Sequence, residues 1–145
     1  MSSTTTLLMV ATMVGLALAD LSIKQSTGRI APALGTLIST VAALALPVGW
    51  TIIAAVRGEV VLTRDGALWS IATGLAFSAA TGLVFLIFGT GATLSAAIPT
   101  IRTGGLLLAA ALGFVVFGER LTWQYAIGFV LAVAGIGLVA TSQAS

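Results

Sequence analysis

The chain has 145 residues, of which 59% are hydrophobic and only 7% are charged, with a formal net charge of +2. Soluble domains carry about 25% charged residues, so lipid must supply much of the solvent around this chain. The net charge is too small and too dispersed for a nucleic-acid-binding protein. Because Cys and His are absent, disulfides, thiol chemistry and the commonest zinc ligands are excluded.

Charged residues divide the chain into long apolar stretches, and a spanning helix needs about 20 apolar residues. The stretch from residue 66 to residue 118, which only Arg102 interrupts, yields two of the five predicted helices. The stretch that begins at residue 66 is too long for one helix, and Gly89-Thr90-Gly91 is the turn signal that divides it. The predicted spans cover residues 4–24, 31–56, 67–88, 92–117 and 121–141 of a single domain, 1–145. The connections are short, so the expected fold is an all-α membrane protein with successive helices antiparallel.

The first span has an alternative interpretation as a signal peptide, because Ala17-Leu18-Ala19 resembles a cleavage site. The segment MSSTTT before it contains no basic residue, which favours a retained helix. In the second span, Pro47 predicts a kink. A functional hinge and simple tolerance of proline in lipid are both open interpretations of that kink.

Small residues recur every four positions in two spans, which is the spacing of closely packed membrane helices. Span 3 carries Gly74, Ser78 and Gly82, and span 4 carries Gly105, Ala109 and Gly113. We expect both stripes to serve mainly in helix packing.

The segment IPTIRTGG, residues 98–105, places a permanent cation about ten residues into span 4. A centred arginine costs roughly 2.5–3.5 kcal/mol on insertion scales, so Arg102 needs a carboxylate, carbonyl groups, water or an anionic ligand. Pro99 removes a backbone donor, and the two glycines that follow Thr103 weaken the helix. These features predict a distorted helix that lines a cavity, with Arg102, Pro99 and Thr103 as substrate-binding candidates.

Asp20 is the predicted partner of Arg102 and the fourth substrate-binding candidate. At 1.5 Å per residue the carboxylate lies roughly 6–9 Å deep and the guanidinium roughly 15 Å deep, a difference that an arginine side chain can bridge. The pair is interpreted either as a substrate or coupling-ion site or as a fixed ion pair that stabilises the bundle. A third interpretation is that the helices begin and end at other residues than predicted, so that both groups lie at the membrane interface.

Catalytic patterns are missing from the sequence. It contains no paired carboxylates, no nucleophile with its base, no phosphate-binding glycine loop and no metal-ligand spacing. The stretch GTGATLSAA has glycines but no lysine, so it is not a P-loop. We therefore expect no enzymatic activity, no cofactor and no metal.

Membrane orientation is weakly specified, because basic residues are almost balanced between the two sides. Lys24 and Arg29 fall on one side, and Arg57, Arg64 and Arg120 fall on the other. One interpretation makes the side with three basic residues cytoplasmic. The other is dual topology, in which copies inserted in both directions pair as an inverted dimer and reproduce the inverted repeats of many transporters.

The last third of the chain, AAIPTIRTGGLLLAAALGFVVFGERLTWQYAIGFVLAVAGIGLVA, resembles the end of an EamA domain of the drug/metabolite transporter superfamily. The resemblance rests on Pro99, the turn Gly118-Glu119-Arg120-Leu121-Thr122, Gly128 and Gly135. The first helix, which ends in ADLSIKQS with Lys24 near its end, is similar to the family's opening helix. The resemblance implies a five-helix EamA-like bundle that forms one half of an inverted-repeat transporter.

A function follows from that resemblance as an expectation. Single-domain bacterial and archaeal members need a second copy or a paralogous partner to complete a cavity, and members move small molecules. The expected function is a secondary transporter subunit in a prokaryotic inner membrane, with a small metabolite or drug as substrate and its anionic group near Arg102. Alternatives are an accessory subunit of a larger membrane complex and a flippase for polyprenyl-phosphate-linked sugars.

Overall fold

Residues 2–118 and 122–142 are described by a computed structural model of the chain. In those residues the helices are α1 Ser3–Ser26, α2 Pro32–Ala43, α3 Ala45–Val56, α4 Arg64–Gly89, α5 Leu94–Phe117 and α6 Trp123–Ser142. The β-pairing in these residues is one isolated bridge between Thr27 and Ile30. The predicted all-α fold class is therefore confirmed.

Four helical segments are long and apolar enough to cross a membrane. They are α1, the combined segment Pro32–Val56, α4 and α5. The last helix is also apolar, over Trp123–Gly135 of its length. Large apolar side chains along these helices are exposed, as in Leu7 and Val115. An exposed apolar surface of this kind needs lipid as its solvent, so the chain has the organisation of a multi-pass membrane protein.

Helix α4 begins at Arg64, whereas the sequence pattern placed the start of this span at residue 67. The side chain of Thr63 accepts a hydrogen bond from the Gly66 N–H at 3.2 Å and so caps the first turn. Asp65 lies in that turn, where a negative charge favours the helix dipole. The charges that suggested a loop are therefore part of the helix start.

The second span is interrupted at Leu44, between α2 and α3. Pro47 has no N–H to donate to the Ala43 carbonyl four residues earlier, and its ring crowds that carbonyl. Helix α2 ends at Ala43, and the Leu44 N–H turns back to the carbonyl groups of Val41 and Ala42. This interruption, called the break below, lies near the position at which Pro47 predicted a kink. Leu44 itself keeps helical dihedrals, with φ −68° and ψ −23°, so the irregularity covers a single residue.

Helix α5 runs without interruption from Leu94 to Phe117, through Pro99 and both glycines. The prediction of a distorted helix around Arg102 is therefore wrong for the backbone. Pro99 is the sixth residue of the helix, so only a short stub precedes it. Its missing donor costs one hydrogen bond, to the Ser95 carbonyl, and there is little helix before it to bend. The helix ends at Gly118, whose φ of 63° provides a left-handed cap.

The turn that follows Gly118 carries part of the resemblance to the EamA domain. Glu119, Arg120 and Leu121 lie outside the described residues. The EamA-type turn signature quoted above therefore has only its two end residues, Gly118 and Thr122, in the described part of the chain.

The chain divides into two compact units at Gly91. In the first unit, α4 contacts both α1 and α2; in the second, α5 packs on α6. The buried apolar side chains of the described residues are Phe85 and Phe88, both on α4. Gly82 on α4 lies close to Thr36 on α2, since a Cβ there would be 3.4 Å from the threonine hydroxyl. Helix α4 therefore carries the core of the first unit.

Candidate functional site

A cleft of about 630 Å³ lies in the first unit. Its lining residues come from α1, α2, α3 and α4 and from Ile30, which precedes α2. Because α4 contacts both α1 and α2, it forms the floor of the cleft between them. Volumes of this size are usual for small-molecule sites.

The inner end of the cleft lies at the break in the second span. Ala43, Leu44 and Pro47 all line it. Leu44 is the thirteenth residue of the 25-residue segment Pro32–Val56, so the break lies at the middle of the span. Gly74 on α4 lines the same region. At the other end the lining reaches Ser26, the last residue of α1, and the cleft therefore extends from mid-membrane depth to the membrane surface.

Hydroxyl groups supply the polar part of the lining. They belong to Ser22, Ser26, Ser39, Thr40, Ser78 and Thr81. The rest of the lining is made of apolar side chains and glycines, such as Ile38, Phe77 and Gly35. A mostly apolar wall with a few polar groups is the usual composition of a small-molecule site.

Five of these six hydroxyl groups donate a hydrogen bond to a carbonyl of their own helix. Thr81 donates to the Phe77 carbonyl at 2.8 Å, and Ser22 donates to the Leu18 carbonyl at 2.7 Å. Ser39 and Thr40 both donate to the Thr36 carbonyl, at 2.9 and 2.8 Å. Ser26 donates in the same way to the Ser22 carbonyl at 2.8 Å. The hydroxyl oxygens therefore present acceptor lone pairs to the cleft.

Among the residues that the structure describes, the cleft lining contains no charged side chain, and none of the four predicted substrate-binding residues belongs to it. Asp20 lies on α1, between the lining residues Ala19 and Ser22, but its side chain is buried, with 4% of its surface exposed. Arg102, Pro99 and Thr103 lie on α5, in the second unit. The structure thus describes the predicted residues and the cleft as separate features.

Asp20 and Lys24 are four residues apart on α1, so they lie on the same face of the helix. The Lys24 ammonium lies 5.0 Å from the centre of the Phe88 ring, within the range of a cation–π contact. Phe88 has 2% of its surface exposed, so this contact is held against the core of the first unit. Asp20 and Lys24 each have an interaction partner.

In the second unit Arg102 is exposed, whereas Pro99 and Thr103 are half-buried. Arg102 is the ninth residue of the 24-residue helix α5, so its Cα is at a depth well inside the apolar segment. Asp20 and Arg102 belong to different compact units. Their predicted pairing remains a prediction.

Sequence reasoning missed the hydroxyl groups of the cleft. A signal was present, because Ser39 and Thr40 stand in the apolar stretch that precedes Pro47, and Ser78 and Thr81 stand in the next span. The stripe Gly74-Ser78-Gly82 was assigned to packing, yet Gly74 and Ser78 line the cleft. In comparisons with known proteins, the chain matches no family model, no curated protein and no solved structure.

Proposed function

We propose that the protein is a secondary transporter subunit that moves a small metabolite or drug across a prokaryotic inner membrane. The observation that carries the proposal is Arg102, a permanent cation nine residues into a helix that is apolar enough to span the membrane. The break at Leu44, in the middle of the second span, is a further feature that favours a transporter. Interrupted helices at mid-membrane depth are the usual place of substrate sites in secondary transporters. Irregular backbone at that depth is tolerated where it is buried in protein or lines a water-filled cavity.

The position of Arg102 supports the proposal that the substrate carries an anionic group. The arginine side chain is exposed although α5 is apolar enough to span the membrane. A guanidinium inside an apolar helix costs a few kcal/mol. Arg102 already has an interaction partner in the chain, and an anionic group on the substrate would add a counter-charge to it. In this proposal Thr103 and Pro99 lie beside the bound group, and Asp20 balances the charge or takes up the coupling proton.

The resemblance to single-domain members, which need a second copy or a partner to complete a cavity, supports a dimer. An inverted homodimer is the arrangement we propose, with a paralogous partner as the alternative. The nearly equal numbers of basic residues on the two sides of the chain favour insertion in both directions. Two inverted copies would then reproduce the symmetry on which many transporters are built.

The residues around Pro99, Gly128 and Gly135 support an EamA-like bundle. We propose membership of the drug/metabolite transporter superfamily on that resemblance. A flippase for polyprenyl-phosphate-linked sugars is a second candidate within the same scaffold, since its phosphate would suit Arg102. An accessory subunit of a larger membrane complex is the candidate from a different class, in which the intramembrane charges only fix helix packing.

Thermal stability in detergent tests the proposal directly. The purified protein is heated with a panel of small carboxylates, small amines and polyprenyl phosphate. Wild type, Arg102→Ala and the control Arg29→Ala are compared. Arg29 is an exposed arginine in the connection between α1 and α2. We expect an anionic compound to raise the Tm of wild type and of Arg29→Ala but not of Arg102→Ala.

The outcomes separate the candidates. Stabilisation by polyprenyl phosphate alone would favour the flippase. An anionic compound that stabilises Arg102→Ala as well as wild type would contradict the role given to Arg102. Co-purification with a larger enzyme, together with a low Tm for Arg102→Ala in the absence of any stabilising compound, would favour the accessory subunit over the transporter.

A further inference from the structure

We propose that the cleft of the first unit binds a neutral, mostly apolar molecule that carries a hydrogen-bond donor, such as an alcohol or a primary amide. All of the lining residues lie in the first unit, in residues 19–85. This site does not depend on the proposed transport function. A protein that transports nothing would still bind such a molecule here.

The requirement for a donor follows from the hydroxyl groups. Five of the six lining hydroxyl groups, including Ser22, Ser39 and Thr81, donate their hydrogen to a carbonyl of their own helix. Each oxygen keeps lone pairs that accept a further hydrogen bond. The Ala43 carbonyl adds another acceptor, because Pro47 has no N–H to offer it. A ligand with an O–H or N–H can donate to these oxygens without disturbing the hydroxyl groups, whereas a ligand with acceptors only must first rotate a hydroxyl away from its helix carbonyl.

The absence of charge from the lining residues excludes other ligand classes. A carboxylate or phosphate would meet acceptor oxygens and no cation. A permanent cation would lose its hydration without gaining a carboxylate, which is unfavourable in an apolar setting. The apolar wall, which includes Ile38 and Phe77, suits a hydrocarbon body. Lipid acyl chains compete for that wall, so the donor group is what gives the ligand its advantage.

Photolabelling tests the proposal in vesicles of phosphatidylcholine. The probe is a ten-carbon alcohol with a diazirine on its chain, and its methyl ether is the matched probe without the donor. Labelled residues are located by mass spectrometry. Labelling of the cleft residues Ile38 and Phe77 is divided by labelling of Leu83, which is exposed on α4 and does not line the cleft. Because both probes carry the same diazirine, any residue bias of the carbene cancels.

We expect the ratio of cleft to Leu83 labelling to be roughly three- to tenfold higher for the alcohol than for the ether, the range that one or two net hydrogen bonds provide. Equal ratios for the two probes would overturn the proposal. So would cleft labelling by the alcohol that does not exceed its labelling of Leu83.

A matched pair of threonines on α4 isolates the acceptor. Thr81 lines the cleft and donates to the Phe77 carbonyl at 2.8 Å; Thr73 does not line it and donates to the Trp69 carbonyl at 2.9 Å. Thr81→Val should reduce the alcohol preference by about half or more, whereas Thr73→Val should leave it unchanged. Ser39→Ala on α2 provides a second test of the same kind. Full alcohol preference in both Thr81→Val and Ser39→Ala would overturn the assignment.

Discussion

The ring of Phe85 occupies the space that a side chain on Gly35 would need. A Cβ built on Gly35 would lie 2.8 Å from both Cε1 and Cζ of that ring. Gly35 is buried on α2, and Phe85, with 3% of its surface exposed, lies on α4. The missing side chain on one helix and the aromatic ring on the other therefore set how closely α2 and α4 approach. Both residues also line the cleft, so this contact fixes the shape of its outer half.

The first prediction concerns this contact. Gly35→Ala should lower the free energy of unfolding by about 1–3 kcal/mol, the usual cost of overpacking, because Phe85 has little room to move. The control is Gly15→Ala on α1, where a Cβ meets nothing within 4 Å. That change should stabilise the helix by about 0.5–1 kcal/mol. Tm in detergent measures both changes.

A double variant decides whether the ring is the cause. Combining Gly35→Ala with Phe85→Leu should restore part of the stability that Gly35→Ala removes, because the smaller side chain vacates the space beside the new methyl group. Strictly additive losses in Tm would contradict the contact between these two positions.

The second prediction concerns the break in the second span. Pro47→Ala supplies the N–H that the Ala43 carbonyl lacks, so α2 and α3 should join and the Tm should rise. The upper limit of the gain is about 3 kcal/mol, the cost of proline inside a helix. Under the hinge interpretation of Pro47, transport should also fall, because a continuous helix removes the point at which the second span can bend.

Pro32 provides the control for Pro47, because it lies at the first position of α2 and loses no helical hydrogen bond there. Pro32→Ala should change neither Tm nor transport appreciably. A continuous helix in Pro47→Ala with wild-type transport rates would show that the break is a tolerated irregularity and has no part in function.

The third prediction concerns the buried carboxylate. Asp20→Asn keeps the size of the side chain but removes its charge, and a cation that it balances then loses its counter-charge. Loss of one partner of a buried pair costs about 3–5 kcal/mol, so the Tm should fall clearly. Asp65→Asn, at an exposed position in the first turn of α4, should have a much smaller effect.

Two double variants identify the cation. If Lys24 is the charge that Asp20 balances, Asp20→Asn with Lys24→Gln should recover most of the lost Tm. If Arg102 is that charge, as the sequence predicted, recovery should occur in Asp20→Asn with Arg102→Gln. Full stability of the single variant Asp20→Asn would contradict both assignments.

The elements of this fold could be predicted from the sequence, whereas the cleft could not. Proline and glycine residues indicated the break near Pro47 and the end of α4 near Gly89, because these residues act on the backbone locally. The start at Arg64 was missed because a capping threonine overrode the charge signal. The contact between Gly35 and Phe85 is long-range. In a chain that is 59% hydrophobic, the apolar pattern hardly distinguishes residues that face lipid from those that face protein.

In the candidate site, too, some residues could be selected from the sequence and others could not. Asp20 could be selected from the sequence because a carboxylate inside an apolar helix is rare, and the structure does bury it. Thr81 gave no comparable signal, since threonines inside membrane helices usually bond to the carbonyl four residues earlier, as Thr73 does outside the cleft. Only the arrangement of α1, α2 and α4 separates the two threonines.

The last prediction concerns orientation in the membrane. With Lys24 and Arg29 on one side and Arg57, Arg64 and Arg120 on the other, the wild type should insert in both directions. Fusion of a fluorescent protein to the C-terminus reports a cytoplasmic end, and fusion of alkaline phosphatase reports a periplasmic one. We expect both fusions to be active.

Single substitutions in the two connections should tip this balance in opposite directions. Glu59→Lys adds positive charge to the connection between α3 and α4, which should become cytoplasmic. In a five-span chain the C-terminus is then periplasmic, so phosphatase activity should rise and fluorescence should fall. Gln25→Lys, at the opposite end of α1 from the N-terminus, should do the reverse. A wild type active with only one reporter, and unmoved by either substitution, would exclude the inverted homodimer and leave a paralogous partner as the way to complete a transporter.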